Sequence, residues 1–595
     1  MTGVTATQGV RVGEIRALLA PWVPILAGVG ILVLAGAGLE LAPPLLLRRI
    51  VDGHLAVGNP DGLFTLALLY LCAASAAQVT GFLVDYLTAT AAQSALRDLR
   101  VRLFAHLQKV SMGYLDRTPL GDIISRCTAD VDTVDTLFSS GIVSVISDLF
   151  RLISITIAMA VLSPFLTLVS AFVIPPVYVI TRTFRTRVRD AERASRQAVG
   201  MVNVSLQENL GGVEVIRAFG RERAFSARFV RVLKTMLVAQ NRATLFSTFY
   251  SPMMAMLSAG AAAIILYAGA SNAASGHGLS IGTITAFVLL FQRFFNPIIA
   301  LGDDWQTVQS ALSGIERIRQ VLAEPEEERA ESPAAIPQSG GTKPAIEVKD
   351  IVFGYFPDRP VLHGVSLTVA PGEHVAIVGR TGSGKSSLLS LVGGLYAPWS
   401  GVIRVNGRDP RGLPEHDRSQ LMGVVPQLVQ LFSGSVLDNL TLGDASVPAE
   451  AARRAAVVSG ADAFIRALPD GYDTPIGGMG RGAGLQLSSG QRQLLALTRA
   501  LVFDPPVLVL DEATSSMDGE SDAMFRAALG PSISGGRGVV TVAHRLASAC
   551  AADRVIVLEA GAIAEEGPPN DLIRRGGRFA AFLELEAAGW DWRTG

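Results

Sequence analysis

Six apolar runs, each long enough to cross a lipid bilayer, constrain the fold of this chain more than any other feature. A transmembrane helix needs about 20 predominantly apolar residues. The runs begin near Trp22, Leu63, Phe138, Pro164, Phe246 and Ser280. The first contains Pro21 and Pro24 and further runs follow it, so we expect it to be retained rather than cleaved as a signal peptide. The sequence predicts a multi-pass membrane protein.

The composition agrees with membrane insertion and narrows the function classes. Apolar residues make up 49% of the 595 residues and charged residues 17%, which is more apolar than is usual for a soluble protein of this length. The net charge is −1 and the arginines cluster between apolar runs, so no nucleic-acid partner is expected. Cys72, Cys127 and Cys550 are far apart, which fits neither a metal site nor a disulfide framework.

The positions of the basic residues predict the orientation of the runs. Long Arg-rich stretches lie between the second and third runs, at 97–126, and between the fourth and fifth runs, at 182–242. Because positively charged loops are retained on the inner face, both stretches and both termini are expected in the cytoplasm. Arg48 and Arg49, in the first outer loop, are the exception.

Both inner stretches are longer than a hairpin between two spans requires, and both show apolar residues at helical spacing. They are therefore predicted to be helices that extend beyond the membrane. Each contains a break where the chain can turn, at 114–121 and at 209–217. The residues alone leave open whether these breaks are ordinary turns or have a role of their own.

A change of composition marks the end of the membrane region. After Arg319 the chain becomes rich in Glu and then in Pro, Ser and Gly, which indicates a solvated linker. From Ile346 onward, short Val- and Ile-rich segments alternate with helical segments, as in an α/β domain. We therefore predict a transmembrane domain at 1–320, a linker at 321–345 and an α/β domain at 346–595.

The segment Gly379-Arg-Thr-Gly-Ser-Gly-Lys-Ser386 has the strand–loop–helix context of a Walker A loop, because an apolar run precedes it and a helical pattern follows. In such a loop, glycines let backbone N–H groups turn toward phosphate oxygens, Lys385 reaches the terminal phosphates and Ser386 holds Mg2+. A plain glycine-rich turn is the alternative. It is disfavoured because Lys385 is the sole lysine after Lys349 in a chain that otherwise uses Arg.

A pair of acidic residues, Asp511 and Glu512, ends the apolar run 507–510. A buried strand would deliver both carboxylates to the sheet edge where ligands gather in α/β folds. Asp511 is predicted to hold Mg2+ through water, and Glu512 to orient or deprotonate the water that attacks the terminal phosphate. Simple structural caps are the alternative for this pair taken alone.

The segment Leu487-Ser-Ser-Gly-Gln491 resembles the LSGGQ signature of ABC transporters, a motif that other P-loop ATPases lack. Four more residues match that family's motifs in order and spacing. They are Tyr355, the aromatic that stacks on adenine; Gln427, the Q-loop residue near Mg2+; Asp518, the D-loop aspartate; and His544, the switch histidine that contacts the γ-phosphate. The resemblance covers nearly the whole chain.

The resemblance implies ATP and Mg2+ as cofactors and assigns roles to particular residues. The catalytic residues are Glu512, His544 and Gln427, and the Mg2+ ligands are Ser386, Gln427 and Asp511. The residues that hold ATP are Tyr355, Gly379, Arg380, Thr381, Gly382, Ser383, Gly384, Lys385, Ser386 and Ser387. The residues that complete a partner's site in trans are Ser488, Gly490, Gln491 and Asp518.

The membrane half resembles the exporters in which membrane and ATPase domains are fused. The implied fold is a multi-domain membrane protein, with an all-α six-helix transmembrane domain of ABC exporter type followed by an α/β P-loop ATPase domain. By that likeness the segments 114–121 and 211–218 are coupling helices that dock on ATPase domains, the second on that of the partner subunit. The implied location is the bacterial cytoplasmic (inner) membrane.

The implied function is ATP-driven export of an amphipathic substrate, such as a drug, lipid, peptide or siderophore, by a dimer of half-transporters with alternating access. The alternative is an ATP-binding regulatory or channel-like subunit that gates a path without turnover. Intact Glu512 and His544 disfavour that alternative. A soluble ABC ATPase acting on ribosomes or DNA is disfavoured by the six apolar runs.

The signature departs from the family pattern at Ser489, where LSGGQ has a glycine, and Gly482 stands where many exporters have a glutamate. In the family the signature closes over ATP held by the other subunit, so a Cβ at Ser489 hinders the approach of the backbone. The chain's own catalytic motifs are intact. This combination resembles the competent member of heterodimeric exporters, so a heterodimer is favoured. A homodimer stays open, because symmetric members also tolerate such a change.

Residues that contact the cargo are not identified by the sequence. Glu40, Asp85, Asp148, Arg151 and Arg293 lie in or near the spans, where a charge is costly and by default functional. Asp148 and Arg151 are one helical turn apart, so mutual neutralisation is the alternative for that pair.

Overall fold

The computed structural model describes residues 23–137, 141–274, 279–327, 344–411, 413–477, 485, 487–511, 527, 529–530, 535–543 and 545–589. Contacts divide the chain into two units. A helical unit comprises residues 1–107 and 121–323, and an α/β unit comprises residues 108–120 and 324–595. The predicted linker at 321–345 lies largely outside the described residues, and the predicted domain limits stay predictions.

The described residues up to Leu322 are mostly helical. Its helices are α1 Val23–Ile50, α2 Leu63–Leu107, α3 Met112–Arg117, α4 Leu120–Cys127, α5 Ala129–Leu137, α6 Val143–Leu162, α7 Pro164–Ala171, α8 Ile174–Gly211, α9 Val213–Ala218, α10 Glu222–Ala274 and α11 Ile281–Leu322. Within the described residues, six candidate spans are long and apolar enough to cross a membrane, and the fourth combines α7 with α8. The six predicted runs are thus confirmed as helices.

The starts of the runs differ from the prediction in places. Trp22 and Phe138 lie outside the described residues. These begin at Val23, and after the gap at 138–140 they continue from Gly141. Phe246 does not begin a helix but lies inside α10, which starts at Glu222. No glycine or proline separates the start of α10 at Glu222 from Phe246, so one helix contains both the inner stretch and the apolar run.

The helices that contain the Arg-rich stretches are too long to lie wholly within a bilayer, as the sequence predicts. Helices α2, α8 and α10 contain 45, 38 and 53 residues. At about 1.5 Å per residue each is far longer than the hydrocarbon core of about 30 Å. A short helix lies at each predicted break: α3 overlaps the first break and α9 overlaps the second.

The helical unit is held by an apolar core and by two polar contacts between distant segments. The core includes Leu166, Met254, Ile265, Phe287 and Phe291, all fully buried. Near the N-terminus of α11, Asp52 accepts hydrogen bonds from the Ser280 hydroxyl at 2.5 Å and from the Gly282 amide at 2.8 Å. Near the other end of α11, Arg317 binds Asp130 through two nitrogens, at 2.9 and 2.5 Å.

The α/β unit alternates strands and helices as predicted. Its elements after residue 345 are β1 Ile346–Phe353, β2 Leu362–Val369, β3 His374–Val378, α12 Lys385–Val392, β4 Ser400–Val405, α13 Glu415–Leu421, β5 Met422–Val425, β6 Gly434–Ser435, α14 Val436–Thr441, α15 Ala449–Val458, α16 Asp462–Arg466, β7 Pro475–Ile476, α17 Ser489–Leu501, β8 Val507–Asp511, β9 Gly538–Val542, α18 Leu546–Ala549, β10 Arg554–Glu559, β11 Ala562–Gly567, α19 Pro569–Arg575 and α20 Arg578–Ala587.

Two larger sheets form the core of this unit. A six-stranded sheet has the order β11-β10-β3-β9-β8-β5, and a three-stranded antiparallel sheet has the order β2-β1-β4. In the larger sheet only the β10–β11 pair is antiparallel. Strand β3 is buried along its whole length, as expected of a central parallel strand covered on both faces. The carboxyl ends of β3, β9, β8 and β5 therefore meet at one edge of the sheet.

His374, the first residue of β3, provides a pH-dependent contribution to stability. Its ring Nε2 lies 3.0 Å from the Thr541 hydroxyl, and burial lowers the pKa of the imidazole below its ordinary value. The unfolded chain therefore binds a proton near pH 6.5 that the folded chain resists. The contribution of His374 to the free energy of unfolding is therefore fully present above about pH 6.5. It is lost as the pH falls from there toward the lowered pKa of the folded state.

We expect His374→Gln, which keeps a polar group beside Thr541, to reduce the fall in unfolding temperature between pH 7.5 and pH 5.5. The measurement is the thermal unfolding midpoint of the full-length protein in nanodiscs across that range. His363→Gln changes an exposed histidine of β2 and is the matched control. Identical pH profiles for wild type and His374→Gln would contradict the assignment.

Candidate functional site

The predicted site residues follow the strands whose carboxyl ends meet at one edge of the large sheet. The segment from Gly379 follows β3, Gln427 follows β5, and β8 ends in Asp511. Strand β9, between β3 and β8, ends at Val542. Glu512, Asp518 and His544 lie outside the described residues. The strand order thus brings together the segments that the sequence motifs occupy.

The loop after β3 has the shape of a cradle for an anion, in which Gly379 and Gly384 have no room for a side chain. Gly382 and Gly384 have φ of +83° and +101°, which favour glycine. A Cβ on Gly379 would lie 2.2 Å from the Leu558 carbonyl oxygen, and one on Gly384 would lie 2.7 Å from Leu362. Glycine is therefore required at both ends of the turn, and backbone N–H groups remain accessible within it.

Two polar side chains of the loop fit a phosphate ligand. The ammonium of Lys385, a buried residue, donates to the carbonyl oxygens of Gly379 at 2.8 Å and Arg380 at 3.0 Å. The hydroxyl of Ser383 is buried and has no hydrogen-bond partner among the described residues. A buried hydroxyl without a partner is costly, so this donor fits an oxygen-rich ligand. Thr381 and Gly382, in contrast, are exposed.

A small oxygen-ligand site lies beside the cradle. The Ser386 hydroxyl donates to Oδ1 of Asp511 at 3.3 Å. Among the described residues no group of three or more His, Cys, Asp or Glu side chains is placed to hold a metal. One hydroxyl and one carboxylate fit Mg2+, which commonly takes few protein ligands and completes its shell with water and substrate phosphates. Gln427 is exposed two residues beyond the end of β5.

Tyr355 lies beside the first turn of α12. Its hydroxyl is 3.0 Å from the Ser387 hydroxyl, and its ring packs edge-on against Phe353 and Tyr396. The side chain remains 41% exposed. An aromatic ring that is fixed at one end and accessible to solvent is suited to stacking against a flat ligand.

The segment that resembles the signature begins a helix. Ser488 caps α17: its hydroxyl accepts from the Gln491 amide at 3.2 Å, and the Gln491 side chain accepts from the Ser488 amide at 2.9 Å. Gly490 is buried in the first turn, whereas Ser488 is exposed. The predicted trans residues Ser488, Gly490 and Gln491 therefore share one helix N-terminus, which favours an anion.

Sequence reasoning missed an arginine that links this helix to the segment after β5. Arg499 of α17 donates to the carbonyl oxygens of Asn439 at 2.8 Å and Gln430 at 3.1 Å. Its guanidinium also lies over the Phe432 ring. No spacing marks this residue, because the two carbonyl oxygens that it binds lie 60 and 69 residues away in the sequence.

A second missed contact joins the sheet region to the first inner segment. The Tyr396 hydroxyl donates to Asp116 of α3, and residues 108–120 belong to the α/β unit. Burial and this hydrogen bond raise the pKa of Tyr396. Because Tyr396 also packs against Tyr355, one side chain connects α3 to the candidate stacking residue.

Because the sequence motifs imply nucleotide turnover coupled to transport, we expect Tyr396→Phe to weaken the response of that turnover to transported compounds. The basal rate is expected to change by less than about fivefold, since one hydrogen bond contributes about 1 kcal/mol. The measurement is the ratio of stimulated to basal ATPase rates. Tyr472→Phe removes a similar hydrogen bond, to Asp462 at 2.7 Å, away from α3 and is the control. Equal ratios in the two variants would contradict a linking role.

Two family models match the chain. The ABC transporter transmembrane region matches residues 26–298, and the ABC transporter model matches residues 362–515. Both matches lie within the regions that the sequence assigned to membrane helices and to the α/β domain.

Relatives that align with most of the chain agree with these matches. The ATP-dependent lipid A-core flippase of Dechloromonas aromatica is 31% identical over 95% of this chain and 96% of its own length. The probable multidrug resistance ABC transporter ATP-binding/permease protein YheH of Bacillus subtilis is 30% identical over 84% of this chain and 73% of its own. A bacterial Atm1-family ABC exporter solved with ATP bound is 27% identical, with a TM-score of 0.75 over 96% of this chain and 99% of that one.

Proposed function

We propose that this chain is one half of an ATP-driven exporter, and the premise is its family: the chain belongs to the ABC transporters, with transmembrane and ATPase regions fused in one polypeptide. It is an ATPase coupled to transport. The observation that carries the proposal is the glycine cradle beside Ser386 and Asp511, in a chain with six apolar helices. Two relatives, one named an ATP-dependent lipid A-core flippase and the other a probable multidrug resistance ABC transporter, support it.

ATP is proposed to bind along the loop from Gly379 to Ser387. Backbone N–H groups of the cradle, the Ser383 hydroxyl and the Lys385 ammonium hold phosphate oxygens, and α12 directs its positive end toward them. Arg380 and Thr381 complete the loop at its exposed side. Tyr355 stacks on adenine.

Hydrolysis is proposed to use residues at the same sheet edge. Glu512, next to Asp511 at the end of β8, orients or deprotonates the attacking water, and His544 contacts the γ-phosphate. Ser386, Gln427 and Asp511 hold Mg2+, which when bound neutralises charge on the phosphates. The water loses its proton toward Glu512 as its oxygen bonds to phosphorus and the bond to the leaving diphosphate breaks.

A second half-transporter is proposed to complete each site. Ser488, Gly490, Gln491 and Asp518 of this chain face ATP held by the partner. Ser489 stands where the family expects glycine, and its Cβ limits how closely the backbone approaches that ATP. An intact own site with an altered signature favours a heterodimer in which this chain is the competent member.

The proposed location is the bacterial inner membrane. Both termini and the ATPase region are proposed to lie in the cytoplasm, because positively charged stretches between membrane helices are retained on that side. ATP binding closes the paired ATPase domains and hydrolysis reopens them. The membrane helices thereby expose a substrate site alternately to each side.

The proposed substrate is amphipathic, in the class of drugs, lipids, peptides and siderophores. The support is the pair of relatives named for a lipid A-core and for multidrug resistance. A test uses inside-out vesicles from native membranes with a panel of fluorescent amphiphiles. ATP-dependent accumulation that disappears in Glu512→Gln is expected. Hydrolysis without movement of any probe class would contradict export.

The composition of the dimer is tested separately. The chain is tagged, purified from its native membrane into nanodiscs and weighed by native mass spectrometry. A particle with one copy of this chain and one different half-transporter is expected. A two-copy particle with full ATPase activity would make Ser489 a tolerated substitution and would contradict the heterodimer.

A further inference from the structure

A cavity of about 230 Å³ lies among helices α1, α2 and α6 of the helical unit. Its charged lining residues are Glu40 on α1, Asp85 on α2, and Asp148 and Arg151 on α6. Three carboxylates against one guanidinium leave two formal negative charges on its wall. Charge of this kind is costly inside a membrane unless a partner compensates it.

The single guanidinium of the cavity is divided between two carboxylates. Arg151 lies 2.9 Å from Glu40 and 3.5 Å from Asp148, whose side chain is 7% exposed. The sequence alternative, in which Asp148 and Arg151 neutralise each other, is therefore incomplete. Arg293 donates to the backbone carbonyl of Glu40 at 2.6 Å but does not line the cavity, and counting it still leaves one negative charge.

Two polar groups of the wall lack a protein partner. Asp85 makes no hydrogen bond or ion pair with any described residue, which leaves its carboxylate available to a ligand. Thr88, about one helical turn further along α2, is 3% exposed, and its hydroxyl has no partner in the described part of the chain. A helical threonine usually donates to the carbonyl four residues earlier, so this hydroxyl is held away from its ordinary acceptor.

We propose that this cavity binds the protonated primary amine of the transported amphiphile. The inference rests on the proposed export function, because it assigns the amine to the transported molecule. A primary ammonium supplies the missing positive charge together with three N–H donors, which the carboxylates and hydroxyls of the wall accept.

The shape and lining of the cavity agree with an amine that carries a hydrocarbon chain. Leu32, Val33 and Val84 line the cavity and provide apolar contact. Quaternary ammonium groups are typically bound by a cage of aromatic rings. No aromatic ring is among the lining residues of this cavity, so it has no such cage. An apolar cavity of about 150 Å³ in another protein accommodates benzene. This larger cavity therefore admits an ammonium and several methylene groups.

The test compares three six-carbon probes: hexylammonium, hexyltrimethylammonium and hexanol. Each is titrated against the native-membrane particle in nanodiscs without nucleotide, and binding is measured as the rise in unfolding temperature. The expected order of affinity is hexylammonium, then hexyltrimethylammonium, then hexanol. Sodium chloride at the same concentrations is expected to give no stabilisation, and stabilisation by it equal to that of hexylammonium would overturn the proposal.

Two variants test the wall itself. Asp85→Asn removes a carboxylate that has no protein partner, so it leaves folding intact and is expected to weaken hexylammonium about tenfold, the order of one charge-assisted hydrogen bond. Thr88→Val is expected to weaken hexylammonium but not hexyltrimethylammonium. Asp61→Asn, in the exposed outer loop, is the control. Equal affinities of wild type and Asp85→Asn for hexylammonium would overturn the proposal.

Failure here is distinguishable from failure of the export function. Binding is measured without ATP, so loss of export in other assays leaves the amine site standing. ATP-driven export of other amphiphiles, with no preference for hexylammonium over hexanol, would overturn the amine site alone.

Discussion

Replacing Lys385 with alanine lowers the ATPase rate of the assembled transporter by about 10²–10³-fold, the loss expected when one preorganised donor to a developing anion is removed. Lys385 is buried at the base of the loop, where its ammonium donates to the carbonyl oxygens of Gly379 and Arg380. Alanine removes the charge that we propose to lie near the terminal phosphates, and it also leaves two loop carbonyls without this donor. The measurement is steady-state phosphate release at saturating Mg-ATP.

Lys349→Ala is the matched control for Lys385→Ala. Lys349 belongs to the same unit but is 64% exposed and pairs with Glu347 on the surface. Surface pairs contribute at most about 1 kcal/mol, so this variant is expected to retain its rate. A Lys385→Ala transporter within threefold of the control would contradict the assignment of this loop.

Replacing Arg317 with alanine destabilises the helical unit by about 2 kcal/mol, because the carboxylate of Asp130 is left buried without its charge partner. Asp130 has a side-chain exposure of 7% and receives both guanidinium bonds. The figure lies below the range for fully buried pairs because Arg317 itself is 47% exposed. We expect an unfolding midpoint lower by roughly 4–8 °C in nanodiscs.

The control for Arg317→Ala is Arg100→Ala. Arg100 pairs with Asp132 at 2.6 Å, but both side chains are about half exposed or more, at 48% and 65%. Its loss is expected to shift the midpoint by less than about 2 °C. Partial rescue by the charge swap Asp130→Arg with Arg317→Asp would support direct pairing. Equal shifts for the two single variants would show that burial of Asp130 does not matter.

The parts of the fold that repeat a local pattern were predictable from sequence. Length and hydropathy located all six spans, and the 3.6-residue period correctly extended them beyond the membrane. The Walker loop was predictable because each of its functions depends on a residue type at a fixed spacing, from Gly379 to Ser386. Strand order explains why Gln427 and Asp511, distant in sequence, occupy one sheet edge.

Contacts made by single residues across long sequence separations were not predictable. Arg499 uses a side chain to satisfy backbone carbonyls of Asn439 and Gln430, and no motif encodes backbone partners. The division of Arg151 between Glu40 and Asp148 depends on how α1 packs against α6. Spacing alone offers Asp148 as a neutralising partner of Arg151 and gives no sign of Glu40 as a second one.

The most direct test of the account is the Mg-ATPase rate of the particle purified from native membranes, measured for wild type and Glu512→Gln in nanodiscs. For an exporter that hydrolyses ATP, we expect steady phosphate release by the wild type. We expect the rate to be at least about 10²-fold lower in the variant, which still binds ATP. Equal rates, or ATP binding without hydrolysis in both, would contradict it and would favour a subunit that gates without turnover.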